Sequence, residues 1–204
     1  MDTPDKQRNR GRTADTILEA AKTVLASQGF AGWGINAIAR AAGCDKQLVY
    51  RYHNGLEGLA EAIGAEMAAW LDDALSARHA EPATSYAELM TRLALAYLDA
   101  LRSNRLAQRI LAWEVAEESP LVKRFAAARG KAMMAWVARE RGDLMPPPGV
   151  DAPMVNALLV AGIQHLVLAG AASGRFTGIE LGGEGDWDRV RAAVRTMAEA
   201  AYRA

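Results

Sequence analysis

The segment KQLVYR, from Lys46 to Arg51, carries side chains of the types that contact the edges of nucleic-acid bases. Gln47 can form paired hydrogen bonds to adenine, and Lys46 or Arg51 can bind the two acceptor atoms of guanine. Leu48 offers only an apolar contact, for which the methyl group of thymine is the natural partner. These residue types predict direct contacts to bases in the major groove of double-stranded DNA.

Three further polar side chains nearby are suited to holding the nucleic-acid backbone. Tyr50 and Tyr52 carry hydroxyl groups that can donate to phosphate, which sets the position of a protein on DNA but not its sequence preference. Asn36, on the preceding helix, can add a contact to a base or a phosphate. The alternative is that all these residues are solvated surface side chains. The motif around them favours the DNA-contact interpretation for the set, though not for each member.

Two short helices separated by a glycine turn would position these side chains. The apolar residues of the first helix recur at helical spacing and predict one buried face: Ile35, Ile38, Ala39 and Ala42. Gly43 suits the left-handed residue that ends a helix, and Asp45 suits the N-cap of the next one. On that second helix Val49 and His53 lie four residues apart and should face inward. The pattern is that of a helix-turn-helix unit over about residues 34–53, whose second helix can lie in the major groove.

The remainder of the chain predicts an all-α fold with about nine helices in total. Besides the motif pair, the predicted helices cover about residues 13–28, 56–78, 86–101, 105–117, 120–142, 152–173 and 187–201. The helix at 56–78 is amphipathic and suits a connector between a head and a body. No strand-like alternation persists, and the cluster of Gly182, Gly183 and Gly185 is interpreted as a flexible connection.

Charge is unevenly spread along the 204 residues, although the formal net charge is zero. Residues 1–55 hold eight Lys and Arg against five Asp and Glu, and the rest of the chain is correspondingly acidic. A basic N-terminal part on an acidic body is typical of a DNA-binding head carried by a second domain. Residues 1–12 are polar and basic, which predicts either a solvated tail or a flexible arm that follows phosphates or enters the minor groove.

Several kinds of site are not supported by the sequence. His53, His79 and His165 stand far apart, so we expect no metal and no cofactor. Cys44 is the only cysteine, which excludes an intrachain disulfide and favours a cytoplasmic location. The N-terminus has no apolar run of the kind found in secretory signals. The uncharged segment 152–174 contains enough polar residues to favour a buried or interface helix over a membrane span. No nucleophile, base and orienting group can be assembled, so an enzyme is not expected.

The first sixty residues resemble the TetR family of bacterial transcriptional regulators. The matching segments are ILEAA (17–21), GF (29–30), IARAAG (38–43), DKQLVYRY (45–52) and EGL (57–59). The resemblance implies a three-helix DNA-binding head over residues 13–58, preceded by the arm at 1–12. It also implies an all-helical ligand-binding and dimerisation body over residues 59–204. Dimers of this family usually use the last two long helices, which places a homodimer contact at about residues 152–174 and 187–203.

Four positions depart from the family pattern. Where the family usually has Thr or Ser to cap the first motif helix and touch phosphate, this chain has Trp33 and Gly34. An aromatic residue is usual at the position of His53, and Leu56 replaces a lysine that commonly contacts phosphate. The loss of these anchors predicts DNA binding that is weaker or more sensitive to salt, unless the basic arm compensates.

The predicted body mixes apolar and aromatic residues with a few polar ones, as small-molecule pockets do. The alternative for each residue is plain core packing. The resemblance favours an apolar or aromatic ligand of modest size, for which the candidate residues are Tyr97, Trp113, Glu114, Arg129, Met133, Trp136, Gln164 and His165. Ligand binding would change the spacing of two heads through the helix at 56–78.

The sequence as a whole therefore predicts a homodimeric, ligand-responsive DNA-binding regulator. Its resemblance implies a repressor that a small molecule releases from a palindromic operator. The alternative is a small-molecule-binding helical dimer whose specific DNA binding is weakened or lost, which Gly34 and Leu56 suggest.

Overall fold

A computed structural model describes residues 4–76 and 82–203, with side chains from residue 11 onward. Within these residues the chain forms nine α-helices and one short hairpin, so the predicted all-α fold is confirmed. The helices are α1 (Pro4–Gly32), α2 (Ile35–Ala42), α3 (Lys46–His53), α4 (Gly55–Ser76), α5 (Tyr86–Ser103), α6 (Arg105–Ala116), α7 (Pro120–Arg141), α8 (Ala152–Ser173) and α9 (Glu184–Ala201). The predicted end of the fourth helix near residue 78, and His79, lie outside the described residues.

The N-terminal segment differs from the prediction of a flexible arm. Helix α1 begins at Pro4, so residues 4–12 form its first turns, while residues 1–3 are outside the described part. Proline suits this place because the first helical residue needs no N–H donor. The basic residues of the segment therefore belong to a helix that continues into the core.

A two-stranded hairpin lies between α8 and α9, where the sequence predicted only a flexible connection. Its strands are β1 (Arg175–Phe176) and β2 (Ile179–Glu180), which pair antiparallel with Arg175 opposite Glu180. The two residues of the turn both have positive φ, 45° at Thr177 and 81° at Gly178. Positive φ at both central residues gives the backbone twist that two-residue hairpins require.

The chain divides into two compact units, and the division differs from the predicted boundary after residue 58. One unit comprises Met1–Ala69 and Arg109–Lys131, and the other comprises Trp70–Gln108 and Ala132–Ala204. The end of α6 and the first half of α7 therefore join the N-terminal helices. A DNA-binding head taken from the sequence alone would omit this part of its core.

The first unit is built around α1, α2 and α3, which pack against one another. Apolar side chains from each of these helices are buried, among them Ile17, Leu25, Ile38 and Val49. Phe125 from α7 is also buried here, and its ring packs edge-on against Phe30 and Trp33. The core of the motif thus includes an aromatic residue that lies far along the chain.

The second unit is organised around α5, which packs against both α8 and α9. Arg102 on α5 stacks over the Trp187 ring of α9, with 4.4 Å between its guanidinium carbon and the ring centroid. Tyr202, after α9, is buried, and its hydroxyl donates to Asn156 Oδ1 of α8 at 2.6 Å. Burial raises the pKa of Tyr202 to about 12, so the hydroxyl remains a protonated donor at neutral pH.

Helix α8 exposes apolar side chains along much of its length, among them Met154 and Leu158. It carries no charged residue, and only Ala152, Leu159, Ile163 and Val167 are buried among its 22 residues. By length and composition it is the one helix in the described part of the chain that could cross a membrane, which is weak support for such a role. Only 17% of its most apolar stretch is buried within one copy of the chain.

Candidate functional site

The turn of the helix-turn-helix motif has the capping geometry that the sequence predicted. Gly43 adopts the left-handed conformation, with φ 63°, and ends α2. Asp45 lies in extended conformation at the start of α3, where its Oδ1 accepts the Gln47 backbone N–H at 2.7 Å. This bond satisfies one of the free amides of the first helical turn. Both predicted caps are confirmed, and together they fix where α3 begins.

Two residues of α3 hold the helix in one rotation against the head. Val49 is fully buried, and His53 is half-buried. The His53 Nε2–H donates to the backbone oxygen of Ala14 on α1, with 2.9 Å between the two atoms. The predicted inward face of α3 is therefore confirmed. The histidine that departs from the family pattern ties α3 to α1 through a polar contact.

The opposite side of α3 carries the side chains predicted to contact DNA. Lys46, Gln47, Tyr50 and Arg51 are exposed, Leu48 and Tyr52 are half-buried, and Asn36 is exposed on α2. In the part of the chain that the structure describes, neither Lys46 nor Arg51 forms a salt bridge, so both charges remain available to phosphate or guanine. The Arg51 guanidinium lies 5.9 Å from the centre of the Tyr52 ring. Apart from Asn36, these residues lie on one short helix, whose inward face is held by Val49 and His53.

The joint between α1 and α2 explains one departure from the family pattern. Gly34 is the N-cap of α2 and provides no side-chain hydrogen bond. Trp33 is buried, and its indole N–H donates to the Ala21 oxygen at 2.9 Å. Its ring lies edge-on to Phe125, with 6.2 Å between ring centres. Trp33 is thus a core residue that connects α1 and α7, a role that its place in the sequence did not predict.

The eight predicted ligand-contact residues do not form one cluster within either unit. Trp113, Glu114 and Arg129 belong to the first unit, and the other five belong to the second. In the second unit Gln164 donates to the Tyr97 hydroxyl at 2.6 Å, and Trp136 donates to Ser76 Oγ at 3.2 Å. Met133 is half-buried. His165 is exposed on α8, where its ring meets Phe176 of the hairpin edge-on.

The charged candidates in the first unit form a buried ion pair. Arg129 Nη1 donates to both carboxylate oxygens of Glu114, at 2.7 and 2.6 Å, and the Glu114 side chain is only 6% exposed. Burial raises the pKa of Glu114, an effect that the neighbouring guanidinium opposes. The pair ties α6 to α7. Beside Glu114 in the sequence, the Trp113 indole N–H is buried without an acceptor among the described residues.

Two other kinds of chemistry receive no support from the described side chains. No group of three or more His, Cys, Asp or Glu side chains is arranged to hold a metal ion within residues 11–76 and 82–203. Cys44 is half-buried in the motif turn, and burial raises the pKa of its thiol. A raised pKa makes the reactive thiolate scarce at neutral pH, which suits a small packing residue.

Comparison with known proteins gives a family match over the N-terminal helices. The model of the bacterial regulatory proteins of the tetR family matches residues 17–63. An HTH-type transcriptional regulator of Mycobacterium tuberculosis is 27% identical over 194 residues, covering 81% of this chain and 90% of the relative. The match therefore extends beyond the motif into the remaining helices.

Solved structures share the fold at lower sequence identity. A TetR-family transcriptional regulator from Rhodococcus has a TM-score of 0.64 at 17% identity and covers 94% of this chain and 99% of its own. The multidrug binding protein EbrR, complexed with imidazole, has a TM-score of 0.62 at 17% identity and covers 94% and 95%. At this identity the likeness concerns the fold alone.

The uncapped start of α2 gives a first prediction. Gly34 has extended backbone and open space where a side chain would begin, so Gly34→Ser should fit without strain. The new hydroxyl should cap α2, adding a few tenths of a kcal/mol to the free energy of unfolding. It should also tighten DNA binding a fewfold by a phosphate contact, measured by fluorescence anisotropy on a duplex selected by the protein from a random pool.

Gly130→Ser is the matched control, since Gly130 is exposed on α7 and has equal room for a side chain. It should leave DNA affinity unchanged. Equal affinity of Gly34→Ser and the wild type would contradict a missing phosphate anchor at this position.

Proposed function

Because the chain belongs to the TetR family of bacterial regulatory proteins and is a DNA-binding transcriptional regulator, we propose that it is a homodimeric repressor. It binds a palindromic operator and leaves it when a small apolar or aromatic molecule binds. The observation that carries the proposal is α3, a helix capped by Asp45, anchored by Val49 and His53, and free on its opposite face. A helix of this kind fits the major groove.

Gln47, Lys46 and Arg51 are the residues that read bases in this proposal. Their side chains are exposed, and paired hydrogen bonds to adenine or guanine discriminate one base pair from another. Leu48 contacts a thymine methyl, while Tyr50, Tyr52 and Asn36 contribute backbone contacts that set the register. The operator lies with the chromosome, which supports a cytoplasmic location.

The homodimer forms through α8 and α9, at about residues 152–174 and 187–203. Exposed apolar side chains support it, since Leu158 on α8 is 66% exposed and Met197 on α9 is 60% exposed. An open groove of about 280 Å³ lies between these helices and is lined almost entirely by apolar residues. Its charged lining residues are Asp186 and Arg189, one of each sign, so two copies meet without net repulsion. A two-fold contact of this face places two heads on a palindrome.

The effector is proposed to be apolar or aromatic. Trp113 supports a ligand site, because its indole N–H is buried without an acceptor among the described residues and can donate to a polar atom that such a ligand carries. EbrR, a protein of the same fold, is described as a multidrug binding protein in complex with imidazole. The candidate contacts remain Tyr97, Trp113, Glu114, Arg129, Met133, Trp136, Gln164 and His165, of which Tyr97 and Gln164 already satisfy each other.

A second candidate function is a helical dimer that binds small molecules while its specific DNA binding has weakened. The observations that favour it are the uncapped Gly34 and the half-buried Leu56, which replaces a basic residue. Selection of bound duplexes from a random pool separates the two functions. Enrichment of a palindromic sequence supports the repressor, whereas unselective binding at every salt concentration supports the weakened form.

Substitution of the proposed adenine-reading residue tests the assignment of α3. Gln47→Ala should relax the preference at one position of each half-site, at a cost of roughly 1–3 kcal/mol on the selected duplex. Binding to random duplex should barely change. Gln28→Ala, which removes an exposed glutamine from α1, is the matched control and should change neither affinity. Equal loss on selected and random duplex would remove Gln47 from base reading.

A thermal-shift screen with aromatic and lipophilic compounds tests the effector. A compound at a hundredfold its Kd should stabilise the folded protein by about 2.7 kcal/mol and raise the Tm. An effector should also release the selected duplex. It does so by binding more tightly to the conformation that does not bind DNA, which shifts the equilibrium between the two conformations. A compound that raises the Tm but leaves DNA affinity unchanged would speak against ligand-controlled release.

The dimer contact predicts the effect of a charge on α8. Leu158→Glu should convert the dimer into a monomer in analytical ultracentrifugation, because the buried contact would hold unpaired like charges across its two-fold axis. Affinity for the palindromic duplex should fall with it. Met134→Glu is the matched control, since Met134 is 67% exposed on α7 and should leave the dimer intact. A dimeric Leu158→Glu variant would place the contact elsewhere.

A further inference from the structure

Helix α1 is broken close to its end, at the point where the chain turns into the motif. Gly29 has φ 69° and ψ −172°, which takes the backbone out of the helix for one residue. The amide of Ala31 lies beyond this break, and its N–H donates to Glu117 Oε2 at 2.7 Å. Glu117 directly follows α6, so the joint before α2 is held by a carboxylate from the α6–α7 corner (residues 113–129).

Glycine is required at the break for two separate reasons. The positive φ is strained for other residues. In addition, a β-carbon on Gly29 would lie 2.3 Å from Glu117 Oε1 and 2.8 Å from the nearest atom of the Trp113 ring. Because glycine has no side chain, the corner can approach the backbone closely at this position. The close approach brings the Glu117 carboxylate within hydrogen-bond distance of the joint.

The rest of the corner packs on the residues that follow the break. Phe125 lies 5.5 Å from Phe30 and 6.2 Å from Trp33, measured between ring centres. The buried Glu114–Arg129 ion pair ties α6 to α7, so the corner is braced. Trp33 in turn immediately precedes the cap of α2. The contacts form a continuous path from α6 and α7 to the first helix of the motif.

We propose that Glu117 is a positioning residue for DNA recognition. Its carboxylate fixes the backbone between α1 and α2 and thereby the orientation in which α2 and α3 meet DNA. The α6–α7 corner is then an input to the motif separate from α4, the helix that the sequence suggested as the connector. The inference depends on DNA binding and not on the identity or existence of an effector.

Three substitutions of Glu117 and one control test the proposal. Glu117→Ala removes the acceptor, and Glu117→Asp keeps the charge but is one methylene too short to reach Ala31. Glu117→Gln keeps an acceptor oxygen at the same distance without the charge. Glu118→Ala removes the neighbouring exposed carboxylate and serves as the matched control. Affinity for the selected duplex and for random duplex is measured for each variant, together with hydrogen exchange of the Ala31 amide.

Glu117→Ala and Glu117→Asp should weaken binding to the selected duplex about tenfold, the size expected for one hydrogen bond to a charged group. Their Ala31 amide should exchange faster, while Glu117→Gln should bind within about threefold of the wild type. Glu118→Ala should match the wild type in both measurements. Because Glu117→Asp is the milder change, it decides the matter if the alanine variant does not fold.

Two results would overturn the proposal. One is binding by Glu117→Asp that equals that of Glu118→Ala, since the corner would then not position the motif. The other is a loss of affinity without faster exchange at Ala31, because the carboxylate would then act by some route other than the joint. In both cases sequence-specific binding by the wild-type protein would persist, so the proposed repressor function would stand independently.

Discussion

The indole of Trp33 is buried between α1 and α7, with its N–H donating to the Ala21 oxygen of α1 and its ring edge-on to Phe125 of α7. Three helices spanning about fifty residues bury too small a fraction of their surface for a secure core. Phe125 from α7 adds buried apolar area to this core. Stable presentation of α3 therefore depends on a contact between segments separated by about ninety residues. Val49 and His53 hold α3 to the same unit that this contact stabilises.

The parts of the site that follow local rules could be predicted from the sequence. Gly43 and Asp45 act on backbone groups within a few residues of themselves, so their identities predicted the turn correctly. The helical spacing of apolar residues likewise identified the nine helices of the described residues to within a few residues, apart from the start of α1. Glu117 gave no such signal, because its partner at Ala31 lies 86 residues away. An acidic residue after a helix is compatible with many surroundings, and only the packed corner shows which amide it meets.

Two segments show where composition alone is ambiguous. The uncharged α8 satisfies the length and hydropathy of a membrane helix as well as those of an interface helix. The low burial of α8 excludes only a core helix, since most of its residues are not buried within one copy of the chain. The hairpin before α9 escaped prediction because Thr177–Gly178 is a weaker turn signal than Asn-Gly, and strands of two residues carry no alternation.

The unit that contains the motif is discontinuous in sequence, and this bears on how such regulators can be recombined. A chimera made by joining residues 1–69 to the body of another regulator would leave behind Arg109–Lys131, and with it Phe125 and Arg124, which pairs with Glu57 at 3.1 Å. The transplanted segment would also lose Glu117, whose carboxylate accepts the Ala31 N–H beside Gly29. Transfer of the DNA-binding unit of this chain therefore requires two segments, residues 1–69 and 109–131. The second segment contains no residue that contacts DNA in the proposed mode of binding.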